Sequence, residues 1–121
     1  MQVERVDFVS VLTQDIARAK HFYVEVLGLP IETEGENDLE FTLGQVTLDV
    51  FNPASVGREF APSPAGIAIR VPDVAAARAE LEAKGVAFTM DTLDTGVCHM
   101  AFFTDPDGND LMLHNRYAGY E

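Results

Sequence analysis

The chain has 121 residues, 47% of them hydrophobic and 23% charged, which bounds it to one small globular domain rather than a disordered segment. Its 20 acidic and 8 basic side chains give a formal net charge of −12, a surface that repels phosphate backbones and argues against nucleic acid as a partner. No apolar run approaches the roughly 18–20 residues needed to cross a bilayer. The first residues do not read as a secretory leader, and one cysteine, Cys98, fits a reducing compartment; the expected setting is cytoplasmic.

In chain order, Phe8 to Val11 alternate as a strand. Asp15 stands where a helix N-cap belongs, and Ile16, Ala19, Phe22, Tyr23, Val26 and Leu27 follow at helical spacing up to Gly28. Short strands are expected over 29–33, 39–43 and 45–51, with Glu32, Glu34, Glu36 and Asp38 falling in a solvated loop. Residues 53–65 hold Pro53, Pro62, Pro64 and Gly57 and read as a linker. The pattern then restarts. Ile67 and Ile69 repeat Val9 and Val11, and Asp73 repeats Asp15, at a constant offset of 58 residues. A second helix carries Val74, Ala77 and Leu81 up to Gly85, and strands are expected over 87–90, 98–104 and 109–115, with Asp105-Pro106-Asp107-Gly108 as a tight turn.

The spacing predicts an α+β fold of two tandem βαβββ modules, one over 6–52 and one over 66–115, followed by a tail over 116–121. The expected sheet is a curved, mixed half-barrel with the helices on its outer face. Alternation then divides the residues. With Val9, Val11, Ile67, Ile69, Leu111 and Leu113 under the helices, the hollow receives Phe8, Ser10, Ala68, Arg70, Asp110, Met112 and His114. It also receives Thr47, Asp49 and Phe51, and His99 with Ala101, while Cys98 points away as a small buried side chain.

Phe22-Tyr23-Val24-Glu25-Val26-Leu27-Gly28-Leu29 and Phe102-Phe103-Thr104-Asp105-Pro106-Asp107-Gly108-Asn109, in this order and spacing, resemble the vicinal oxygen chelate superfamily. This is the glyoxalase, bleomycin resistance protein and extradiol dioxygenase group. The resemblance runs from Val6 to Asn115 and rests on scaffold motifs. It implies a divalent metal in the hollow of the enzymes, held at positions that fall here on Phe8, Asp49 (or Leu48 with a slip of one), Gly66 and Met112. Phenylalanine and glycine offer no side-chain lone pair, and a thioether suits copper(I) better than zinc, nickel, iron or manganese. One carboxylate does not hold a catalytic metal.

The remaining polar points are few. Asp49, His99 and His114 could form an unorthodox two-histidine, one-carboxylate metal set, and either histidine could act as a base near neutral pH. No nucleophile elbow or glycine-rich phosphate loop is present. Phe8, Ser10, Asp49, Phe51, Arg70, His99, Met112 and His114 therefore read as a ligand-binding set with apolar walls and sparse polar groups. The reading is a small-molecule binder without metal or cofactor, closest to the antibiotic-sequestering members of the group, with an aromatic or cationic ligand. A metal-dependent lyase, isomerase or dioxygenase is the alternative, and a protein-interaction module is a third. The resemblance also implies a homodimer, with the tail Arg116–Glu121 a candidate for the contact.

Overall fold

The computed structural model describes residues 1–119, which divide into two units at Pro62 and Ser63. In the first, β1 (Phe8–Leu12) leads to α1 (Ile16–Lys20), a π-helical stretch (His21–Val26), β2 (Ile31–Glu34), β3 (Asp38–Leu43) and β4 (Val46–Phe51). After a 3₁₀ turn (Pro53–Val56), the second unit gives β5 (Ile67–Arg70), α2 (Val74–Ala83), β6 (Leu93–Asp94), β7 (Cys98–Thr104) and β8 (Asp110–Arg116). The sheets have the same design, β1-β4-β3-β2 and β5-β8-β7-β6. In each, the first strand pairs parallel with the last, and the other neighbours pair antiparallel. Two mixed sheets in tandem βαβββ-like modules are the expected architecture.

The repeat extends to single atoms. Asp15 accepts a hydrogen bond from the Arg18 amide and Asp73 from the Ala76 amide, both at 3.0 Å, so each helix begins on the same side-chain cap. Register assigns the faces, because residues paired across adjacent strands share a side of the sheet. Val11, Val50, Leu39, Leu48 and Phe41 lie together and buried under α1 and the π-helical stretch. Ala101, Phe103, Leu111 and Leu113 lie under α2 with Val74 and Leu81.

Two elements differ from the expectation. The first helix keeps α winding only to Lys20; beyond it the Leu27 amide reaches the Phe22 carbonyl at 2.9 Å. A π turn rotates successive residues by less than the roughly 100° of an α-helix, and this suits two consecutive rings that both face the core. Phe22 and Tyr23 are buried, and Tyr23 packs on Phe41 at 5.7 Å. In the second module the strand expected over 87–90 is replaced by a single bridge from Phe88 to Phe103. The Phe88 ring sits 5.2 Å from Phe103 and 4.7 Å under the Arg78 guanidinium, which also takes the Met90 carbonyl at 2.9 Å. That carbonyl is drawn off the ladder, and the edge strand forms later, at Leu93–Asp94. The acidic run lies in a hairpin, not a loop: Glu32 and Glu34 are in β2 and Asp38 opens β3. Tyr120 and Glu121 lie outside the described residues.

Candidate functional site

Each sheet has one face under its helix and one face without it, and the predicted site residues fall mostly on the second. In the first sheet Phe8 pairs with Thr47, Ser10 with Asp49, and Leu12 with Phe51. Across β4, Asp49 meets Glu40 and Phe51 meets Asp38. Phe8, Ser10, Asp49 and Phe51 therefore share the open face, as alternation predicts, and Asp38, Glu40 and Thr42 join them.

That face concentrates negative charge. Oxygen atoms of Asp38, Glu40 and Asp49 lie within 4.8 Å of one another. Asp49 Oδ2 accepts the Ser10 hydroxyl at 3.1 Å, while Oδ1 is buried without a hydrogen-bond partner. Burial, and then the two neighbouring carboxylates, hold the Asp49 carboxyl above the usual carboxylate range; the Ser10 hydroxyl opposes the shift. Along the sequence Asp49 stands as a lone carboxylate; the convergence of Asp38 and Glu40 on it depends on the β3–β4 register, although Asp38, Glu40 and Thr42 already alternate along the chain. Beside them a cleft of about 860 Å³ is lined by Glu4, Asp7, Phe8, Glu40, Thr42 and Thr47, among others. Phe8 is 59% exposed there, Arg5 is tied to Asp7 at 2.9 Å, and the Thr42 hydroxyl donates to Glu32.

The open face of the second sheet has a different character. Ala68 pairs with Met112 and Arg70 with His114; Met100 and Phe102 lie across from His114 and Met112. Arg70, Met112 and His114 thus share a face, as expected. His99 and Ala101 do not join them. Both lie in register with Asn115 and Leu113 on the side covered by α2, and Met100 and Phe102 take the places assigned to them. Cys98 is buried as expected, yet by register it belongs to the open side, where Thr95 Oγ1 approaches its sulfur at 3.0 Å. Alternation misassigns this strand tip because both faces of β7 are partly apolar: the parity follows Phe103 and Leu111, not His99.

His99 and His114 therefore project from opposite sides of one sheet. His99 Nε2 stands 3.4 Å from Asp94 Oδ2 and its ring 4.8 Å from that of Tyr117. The pair does not form the convergent edge that a two-histidine, one-carboxylate set requires. The positions implied by the superfamily fare no better. Phe8 and Gly66 bring no donor, and Gly66 is further closed by its backbone. Its φ is +69°, and a Cβ there would meet the Met112 Cε at 3.3 Å. The residues present do not fit the superfamily's metal. The oxygen-only trio of Asp38, Glu40 and Asp49 suits a hard cation or an organic ammonium group instead.

Comparison with known proteins agrees with this fold. The family model described as Glyoxalase/Bleomycin resistance protein/Dioxygenase superfamily matches residues 5–113. The chain is 28% identical to the uncharacterized protein YaeR of Escherichia coli (strain K12), over 94% of this chain and 98% of the other. It is likewise 28% identical to TnmS3, described as an antibiotic binding protein from Streptomyces sp. CB03234. That match covers 96% of this chain and 98% of TnmS3, with a TM-score of 0.77. A lactoylglutathione lyase from Agrobacterium tumefaciens, 17% identical over 93% of this chain and 94% of its own with a TM-score of 0.78, shares the fold.

Proposed function

Because the chain belongs to the Glyoxalase/Bleomycin resistance protein/Dioxygenase superfamily, we propose that it uses this scaffold to sequester a small molecule without a metal and without turning it over. The observation that carries the reading is the identity of the residues at the superfamily's metal positions: Phe8, Asp49, Gly66 and Met112. A ring, a missing side chain and a thioether replace hard or borderline donors, and the cleft beside Phe8 is lined mostly by polar and acidic side chains instead of the apolar walls expected from the sequence. The likeness to TnmS3 supports a compound of antibiotic type.

The ligand on this reading is aromatic and cationic. Phe8 offers an exposed ring for stacking, and Asp38, Glu40 and Asp49 supply clustered negative charge a few ångströms apart. An ammonium or guanidinium group would relieve their mutual repulsion and partner the buried Asp49 Oδ1. A cytoplasmic homodimer is part of the same proposal.

Calorimetry against a panel of aromatic cations tests it. The expected result is stoichiometric, micromolar or tighter binding, unchanged by EDTA and weakened about tenfold by Phe8→Ala, the loss of an aromatic contact worth roughly 1–1.5 kcal/mol. No heat from any compound would remove the proposal, and so would binding abolished by EDTA.

A further inference from the structure

The open face of the second sheet carries charge of the opposite sign. Arg70 lies in register with His114 across the parallel pair of β5 and β8, so their Cα atoms stand about 4.8 Å apart and their side chains share a face. The scaffold does not need this pair. The offset of 58 residues sets Arg70 on Leu12, and the partner of Leu12 in the first sheet is Phe51. Other cations of the chain are tied to carboxylates: Arg5 to Asp7, Lys20 to Glu34, Arg78 to Glu82 and Lys84 to Glu80. Arg70 is exposed, and among the described residues neither its side chain nor that of His114 makes a hydrogen bond or ion pair. Asp110, on the same face, stands four residues from His114 along β8, about 13 Å away. Beside the pair, Met100, Phe102 and Met112 form a half-buried apolar floor.

We propose that this face binds an aromatic monocarboxylate, with Arg70 and His114 on the carboxylate and the Met100, Phe102 and Met112 floor under the ring. A guanidinium presents paired N–H donors in one plane, which matches the two oxygens of a carboxylate. His114 adds a donor whatever its charge, since a neutral imidazole keeps one N–H. Two thioethers and a phenyl ring on the same face favour an aromatic body over an aliphatic one. The net charge of −12 works against multiply charged anions such as phosphates. Of the anions that a forked guanidinium recognises, a single carboxylate is repelled least. The site lies on the other sheet from Phe8 and the acidic trio, and it stands whether or not that first face takes a cation.

Benzoate is the probe, titrated into the full chain while the backbone amide resonances are followed by NMR. Saturable shifts at Ala68, Arg70, Met112 and His114, with a Kd of about 1 mM or tighter, are expected. Benzamide, the uncharged isostere, should bind about tenfold more weakly, and so should benzoate to Arg70→Gln, because each loses the charge-assisted contact. Arg70 is exposed and bonds no described residue, so this variant keeps the fold. Phe8→Ala should leave the benzoate Kd unchanged, which separates this site from the one on the first sheet. Shifts that do not saturate, benzamide binding as tightly as benzoate, a Kd unmoved by Arg70→Gln, or displacement of benzoate by an equal concentration of inorganic phosphate overturns the proposal.

Discussion

Gly66 offers the sharpest test of why the superfamily's metal position is closed in this chain. Its φ of +69° is a conformation that costs an ordinary L-residue about 1–2 kcal/mol. A new Cβ would also stand 3.3 Å from the Met112 Cε, so the thioether must shift by a few tenths of an ångström. Gly44 provides the control: its φ is +70°, and nothing lies within 4 Å of the corresponding Cβ. Gly44→Ala should therefore cost the backbone part alone. Gly66→Ala should cost that and a little more, and the excess should vanish in a Met112→Ala background. For a chain of this size each kcal/mol lowers Tm by about 3–6 °C, so falls of about 3–12 °C are expected in thermal denaturation followed by circular dichroism. Gly66→His, which supplies a ligating side chain, should show the same loss of stability and purify without zinc by elemental analysis. A Gly66→His protein as stable as its parent and holding an equivalent of zinc would refute the reasoning.

Asn109 should be the costliest polar residue to truncate. It is fully buried, its side-chain amide donates to Asp105 Oδ2 and its oxygen accepts the Ser63 amide, both at 2.8 Å. Asn109→Ala removes both of these bonds from a buried site, about 3–5 kcal/mol together, so a urea midpoint lowered by less than about 0.5 M would contradict the assignment. Asp49→Asn should act in the opposite direction. The folded protein holds the Asp49 proton more tightly than the unfolded chain does, so this carboxyl favours folding below its unfolded value of about 3.8 and loses that contribution as pH rises through the folded value. The amide variant should gain on the parent between pH 4 and pH 7 in urea titrations, and a gain that is equal at both would exclude a carboxyl raised by burial and by its acidic neighbours.

How far the sequence revealed this molecule depends on whether the deciding interaction is local. The duplicated caps at Asp15 and Asp73 and the turn at Asp105–Asn109 are local, since each side chain bonds the backbone within four residues of itself. They were legible, and the scaffold motifs extended them to the whole fold. Faces were legible where one side of a strand is clearly apolar, as in β1 and β8, which placed Phe8, Ser10, Met112 and His114 correctly. Alternation failed on β7, where Cys98, His99, Met100 and Ala101 give no contrast. The carboxylate trio was hidden for a different reason. It is assembled by pairing between strands, and register follows from turn geometry and burial that a single strand does not display.

The strand order of the two sheets bears on how such a chain arises. In each module the opening strand lies hydrogen-bonded alongside the closing one and parallel to it, so the chain enters a module at one end of this strand pair and leaves it at the other. A gene segment encoding such a unit can be copied head to tail with only a brief connector, because neither copy must be unthreaded to admit the other. Once doubled, the halves are free to diverge in chemistry. Here the open face of one carries three carboxylates, and the matching positions of the other hold Met100, Phe102 and Met112.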